Sequence, residues 1–340
     1  MNFLSDTTAP AHPALLTALS QANDGFAPSY GADPLSARVK AKLQDIFETE
    51  LEMLFAVAGT ASNALALSVL AAPDSIILCH DEAHIQRDER GAPEFFTGGA
   101  KLLPLHGPHA KIDPQNLTQA LGEWPSDFVH ATPPQVLSIS QLNESGGAYT
   151  LDELDALIDP AKQAGLAIHL DGARFSNALA ALGCTPAEMS WKRGVDVLCL
   201  GATKNGAMAA EAVILFGSAM DRFKDLQARQ KRAGHMLPKM RYVAAQFDAW
   251  LEDGLWLELA RAANASGKRL AEGLSALPGC ELAHPCDGNE VFVRLAPEIV
   301  ERLRAAGAGF YAWPDGSARF VASWCTSEAE IDAVLAAAKG

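Results

Sequence analysis

Two short segments of this chain bring together residue types that do chemistry as a set. His169-Leu-Asp171-Gly-Ala-Arg174 closes an apolar run that begins at Leu166, and Gly201-Ala-Thr-Lys204-Asn closes one that begins at Val195. Both runs read as buried strands of an α/β sheet, with ligand-facing groups at their carboxyl ends. A carboxylate and a lysine delivered this way to one crevice suit pyridoxal phosphate, whose carbonyl takes a Schiff base from the lysine and whose pyridinium nitrogen pairs with the acid. Each segment alone reads as a strand-end turn with a solvated lysine. Together, with Arg174 close behind Asp171, they read as a site.

Other residues offer the remaining parts of such a site. Gly59-Thr60-Ala61-Ser62-Asn63 lies between a strand and a helix, where free backbone N–H groups and the positive end of the helix dipole suit a phosphate. The same motif alone reads as an N-cap with a tight turn. His84 follows a strand by a few residues. It is either a ring that stacks on a pyridine face or moves protons near neutral pH, or a surface loop histidine. Glu89 is a carboxylate partner for that site. Arg174 and Arg319 present planar forks that match a substrate carboxylate, although Arg319 also reads as a solvent-facing strand position. Arg229, Lys231 and Arg232 reach either a phosphate, across a subunit interface, or only solvent along a helix face. His80, His106, His109 and His130 read as structural.

The elements that must hold these residues follow from periodicity and punctuation. Helices are expected over Pro13–Asn23, Leu35–Thr49, Asp113–Leu121 and Leu151–Gly165. Strands are expected over Glu52–Val57, Ser75–Cys79, Lys101–Leu105, Phe128–His130 and Gln135–Ser140. This alternation through about residue 217 implies a mainly parallel sheet covered on both faces. Beyond it the texture is mostly helical to Gly254, with a long helix over Leu255–Leu277. Short strands at Asn289–Leu295, Gly309–Trp313 and Arg319–Trp324 then alternate with helices at Glu298–Ala306 and Glu328–Lys339, a compact α+β unit.

Composition bounds the rest. The chain has 340 residues, enough for a large unit and a smaller one. Its net charge of −14, from 27 basic and 41 acidic residues, argues against nucleic acid or an anionic membrane as the main partner. No apolar run is long enough to span a bilayer, and the N-terminus does not read as a signal peptide. The six cysteines have no metal-ligand spacing and read as reduced core residues of a cytoplasmic protein. No metal is expected.

These residues and their order resemble the low-specificity L-threonine aldolases, which are fold-type I (aspartate aminotransferase-like) pyridoxal phosphate enzymes. The resemblance runs over nearly the whole chain: Ser5-Asp6-Thr7, Tyr30-Gly31-Ala-Asp33-Pro34, Gly59-Thr60, His84 in Glu-Ala-His-Ile, His169-Leu-Asp-Gly-Ala-Arg-Phe-Ser-Asn-Ala, Lys204 and Ala318-Arg319-Phe-Val. It implies a large, mainly parallel α/β domain over 31–249, a smaller C-terminal α+β domain over 250–340, and residues 1–30 as an arm contributing to the active site. It implies retro-aldol cleavage of a β-hydroxy-α-amino acid to glycine and an aldehyde, with L-threonine, L-allo-threonine and L-phenylserine as substrates. In that scheme Lys204 carries the cofactor, and Gly59, Thr60 and Ala61 cup its phosphate with Arg229 or Lys231. His84 covers the ring and Asp171 meets its nitrogen, while Ser5, Tyr30, Arg174 and Arg319 hold the substrate. The base for the β-hydroxyl is His84 or, second, Glu89. A homotetramer of tight dimers with shared sites is implied too.

Two departures from the family pattern stand out. Many aldolases carry Glu-Asn-Thr-His where this chain reads Ser140-Gln-Leu-Asn143-Glu144, so their second active-site histidine is missing. Lys204 is followed by Asn205-Gly-Ala-Met-Ala-Ala-Glu211 rather than Gly-Leu-Gly-x-Pro-Val-Gly, and an arginine often aligned to the phosphate falls on Gln230. The rivals are β-elimination, transamination or racemisation on the same fold, and a non-catalytic scaffold.

Overall fold

The computed structural model describes residues 1–124, 128–313 and 316–340. Seven strands form the main sheet: β1 (Leu51–Ala56), β2 (Ile76–His80), β3 (Lys101–Leu105), β4 (Pro134–Ser140), β5 (Ala167–Gly172), β6 (Val197–Gly201) and β7 (Glu211–Phe216). Their order is β1-β7-β6-β5-β4-β2-β3, and β7 alone runs against its neighbours. β5 and β6 are adjacent and parallel, with Asp171 opposite Cys199, so the two segments singled out above end side by side.

Alternation along the strands assigns the two faces. On β6, Val197 and Cys199 pack with Leu65, Leu67 and Val69 of the helix Gly59–Leu70, while Leu198 and Leu200 join the core on the other face with Phe175 and Trp250. With both faces covered the strands are mostly apolar, as a largely parallel sheet requires, and the polar His169, Asp171 and Glu211 lie on β5 and at the start of β7.

One reading is corrected. Phe128–His130 is not a strand: Val129 and Phe128 are 89% and 56% exposed, and β4 starts at Pro134. The run Glu211–Phe216, to which the sequence assigned no element, is a full strand wedged between β1 and β6.

A second sheet of β8 (Cys280–Leu282), β9 (Glu290–Leu295), β10 (Tyr311–Ala312) and β11 (Ser317–Val321) is antiparallel, in the order β10-β11-β9-β8. Its apolar face gathers Val291, Val293, Phe320, Leu270 and the fully buried Phe3. Phe3 also donates its N–H to Gly309 and accepts from Val321, each at 2.9 Å. The chain's first residues are thereby stitched to the smaller sheet. The long helix Leu255–Ser275 packs both on that sheet and on the helix Phe175–Leu182.

Helix starts follow local chemistry. Asp33 caps Pro34–Phe47 by accepting the Ser36 N–H at 2.9 Å, and Thr150 with Glu153 forms a capping box at Leu151–Gln163. Among the described residues no helix is long and apolar enough to cross a membrane. All six cysteines are unpaired; Cys79 and Cys199 are core residues, but Cys325 is exposed.

Candidate active site

The carboxyl ends of β4, β5 and β6 open on a cavity of about 280 Å³ whose walls include Gly59, Asn63, His84, Glu144, Asp171, Arg174, Lys204 and Glu211. The position is the one open α/β sheets reserve for ligands.

Asp171 is the buried anion at the end of β5. Its Oδ1 accepts the Ala173 N–H at 3.0 Å and its Oδ2 accepts the Asn63 amide at 2.8 Å. Burial pushes this carboxyl up, but the His169 and His84 rings, the Lys204 ammonium and the Ala173 N–H outweigh it and hold it below the ordinary carboxylate value. His169, two residues earlier on the same face, is fully buried between the Ser138 hydroxyl at 2.9 Å and the Cys199 thiol at 3.4 Å. Burial lowers its ring well below the ordinary histidine value, against the pull of the Asp171 anion.

Lys204 sits on a single turn, Thr203–Asn205, directly after β6. Among the described residues its ammonium has no hydrogen-bond or ion-pair partner, so the amine is uncommitted. The same turn sends the Thr203 hydroxyl to Glu211, a buried carboxyl at the start of β7 that burial pushes up to about 7 against the Lys204 charge.

His84 begins a short helix after β2, and its Nδ1 lies 2.8 Å from Glu89 Oε1. The hydrogen bond to Glu89, reinforced by Asp171, lifts the ring above its ordinary value despite partial burial. Glu89 itself is set back from the cavity: its side chain is 0% exposed, and the oxygen that meets His84 also takes the Asn63 amide at 2.9 Å. Glu89 is not among the residues lining the cavity, and its carboxylate meets the His84 ring. Burial raises its proton affinity against the bonds from His84 and Asn63.

Arg174 is already engaged. Its Nε and Nη2 lie 2.8 and 3.2 Å from the two Asp6 oxygens, and its Nη1 lies 3.1 Å from Glu290. Burial works against the Asp6 anion, but Arg174 and Lys204 hold the acid below its ordinary value; Glu290 is pushed up by burial. The fork is therefore fixed in place by Asp6 along one edge. Ser5 caps the turn Asp6–Thr8, and Thr7 of that turn lines the cavity. Arg319, on β11, lies over the Tyr311 and Trp313 rings and donates to the Leu4 carbonyl at 3.3 Å. Its Nε is buried without a partner among the described residues, and Arg319 is not among the residues that line the cavity.

Tyr30, Arg229 and Lys231 do not line this cavity. Tyr30 is half exposed, under the Lys231 ammonium at 4.8 Å from its ring centroid. Arg229 pairs with Asp225 at 3.0 Å and faces a separate groove with Arg222 and Arg232. Gln230 is buried and ties its helix to β1 through the Phe55 carbonyl at 2.6 Å.

The residues present fit pyridoxal phosphate. The helix Gly59–Leu70 starts behind Ala58 with no side-chain cap, leaving the N–H groups around Thr60 and Ala61 for a phosphate, and nothing lies within 4 Å of where a Gly59 side chain would begin. Asp171 supplies the buried anion and Lys204 the free amine. Four site residues escape a reading of motifs alone: Asn63, Glu144, Glu211 and Asp6. All four lie within the runs named above, and Glu144 and Glu211 occupy the two places where the chain departs from the aldolase pattern.

Comparison with known proteins agrees with this geometry. A family model described as β-eliminating lyase matches residues 2–298. The low specificity L-threonine aldolase of Pseudomonas sp. is 41% identical over 97% of this chain and 94% of its own. That of Pseudomonas aeruginosa is 41% identical over 95% and 93%. The threonine aldolase structure from Leishmania major superposes with a TM-score of 0.92 at 28% identity, covering 99% of this chain and 98% of that one.

Proposed function

The chain belongs to the β-eliminating lyase family, and on that premise we propose that it is an aldehyde-lyase cleaving L-β-hydroxy-α-amino acids to glycine and an aldehyde. L-threonine and L-allo-threonine are its substrates, with L-phenylserine beside them. The observation that carries the reading is the meeting of Asp171, Lys204 and the uncapped start of Gly59–Leu70 at one cavity. The 41% identical aldolases, aligned over nearly the full chain, support it.

The fold is that of fold-type I enzymes and the cofactor is pyridoxal phosphate. When bound, it supplies an electron-accepting ring that stabilises negative charge at the substrate's α-carbon. The chain's own groups do the rest. Lys204 provides the amine that carries the cofactor. Asp171, kept anionic, would hold a proton on the ring nitrogen. The N–H groups at Gly59, Thr60 and Ala61 would receive the phosphate. His84, its Nδ1–H committed to Glu89, would cover the ring. Arg174 and Arg319, with Ser5, would grip the substrate carboxylate, which sets the Cα–Cβ bond for cleavage.

Tyr30, Arg229 and Lys231 have a role in this scheme only if a second copy brings them to the cavity. We therefore propose a homotetramer of tight dimers with shared sites. The arm 1–30 and the domains 31–249 and 250–340 are part of the same proposal, as is a cytoplasmic location, which suits unpaired cysteines that include an exposed Cys325.

The test is the product balance from L-threonine with the loaded protein. Equal amounts of glycine and acetaldehyde are expected. Ammonia with a 2-oxo acid would move the reaction to β-elimination, and a keto acid without ammonia would move it to transamination.

A further inference from the structure

Glu144 is a cavity-wall carboxyl that the reading above leaves without work. It lies at the end of the segment that follows β4, half-buried in the cavity wall. Its Oε1 accepts the Ser140 hydroxyl at 2.6 Å and the His84 backbone N–H at 2.8 Å. Its Oε2 is buried and has no partner among the described residues. A buried carboxylate oxygen without a donor is costly, and it is the kind of group an incoming hydroxyl would satisfy.

Glu89 Oε2 and Glu290 Oε2 are likewise buried without a hydrogen-bond partner among the described residues, but neither residue lines the cavity. Of the other acids that do, Asp171 is held by Asn63 and the Ala173 N–H, and Glu211 takes the Thr203 hydroxyl. The hydrogen bond to Glu89 and the Asp171 anion raise the His84 ring above its ordinary value, and its Nδ1 is committed to Glu89.

We propose that Glu144 is the catalytic base that takes the β-hydroxyl proton, a role resting on the aldolase reading above. The O–H bond breaks and its proton passes to Oε2. The O–H electron pair becomes the second bond of the aldehyde carbonyl, and the Cα–Cβ pair stays at the α-carbon. The α-carbon takes a proton from water to give glycine, and Glu144 returns its own proton to water as the site resets.

Surroundings tune the group for this task. Burial pushes it up to about 7, with the Asp171 anion adding to the effect and the Ser140 and His84 bonds opposing it. Arg174 and the enclosed Cys79 thiol also feel its charge. A base poised near neutrality is the efficient choice.

Glu144→Gln tests this, because the amide oxygen still accepts the Ser140 hydroxyl and the His84 N–H while the proton acceptor is gone. Expected is a fall in kcat on L-threonine of about 100-fold or more. The rise of kcat/KM with pH through about 7 in the unaltered protein should be absent in the variant. Cofactor loading and glycine affinity, read from cofactor absorbance, should be retained. A protonated-carboxyl infrared band that titrates near neutrality in the cofactor-free protein should vanish. A variant that keeps kcat within threefold, or loses it only in step with loading, overturns the proposal. If the unaltered protein releases no aldehyde at all, the aldolase reading fails instead. Glu144→Asp, which shortens the reach, separates a lost base from misfolding: partial activity with the pH limb intact is the expected result, and a flat profile contradicts it.

Discussion

At the scale of single residues, the site is a set of acids given different work by different surroundings. Asp171 and Asp6 are kept anionic by neighbouring cations, whereas Glu144, Glu211 and Glu290 are pushed up by burial. Glu89 raises the His84 ring, so Glu89→Gln should lower that ring's titration point, and an NMR titration of the imidazole reads the shift directly; no shift would detach the two residues. Glu211 makes a stability prediction. A carboxyl that moves from 4.5 to about 7 on folding favours the folded state while protonated. That contribution is present below 4.5 and is lost as pH rises toward about 7. Thermal unfolding of the cofactor-free protein should therefore depend less steeply on pH across that window in Glu211→Gln. Asp171, Lys204 and Arg174 were legible in the sequence because each closes or follows an apolar run in a recognisable order. Glu144 and Glu211 were legible only as departures, because what employs them is burial, which spacing does not report.

At the scale of elements, the site depends on the close approach of β5 and β6 at their carboxyl ends. Gly201 lies opposite Glu211 in register, and a side-chain carbon on it would fall 2.9 Å from Ala173 and 2.9 Å from Glu211 Oε2. Gly201→Ala should cost about 1–3 kcal/mol of stability by overpacking and should weaken cofactor retention together with it. Denaturant unfolding and absorbance of the bound cofactor measure the two, and an unchanged midpoint would show that the contact relaxes freely. Strands β5 and β6 and the helix after β1 were readable from apolar runs and glycine punctuation. The antiparallel β7 was not, since its pairing between β1 and β6 is a long-range choice that no local signal announces. Phe128–His130 failed in the opposite sense, apolar in type but left exposed.

At the scale of the whole molecule, a doubly covered sheet follows from the alternation of runs, and the smaller sheet follows from the change of texture after residue 217. The stitching of Phe3 into that smaller sheet was invisible in the sequence, because the partners are more than three hundred residues apart. The cavity of one chain holds Asp171 and Lys204 but not Tyr30, Arg229 or Lys231. If a second copy supplies these, mixing inactive Lys204→Ala with a Lys231→Ala variant of low activity should yield hybrids more active than either parent, since each hybrid keeps one intact site. No gain on mixing would confine the site to one chain. The most direct test of the account concerns Lys204 itself. Borohydride treatment of the loaded protein converts the lysine–cofactor link to a stable amine, and peptide mass mapping then locates it. The account predicts the added mass on Lys204 and no cofactor retained by Lys204→Ala after the same treatment. Mass on another lysine, or full labelling of that variant, would contradict it.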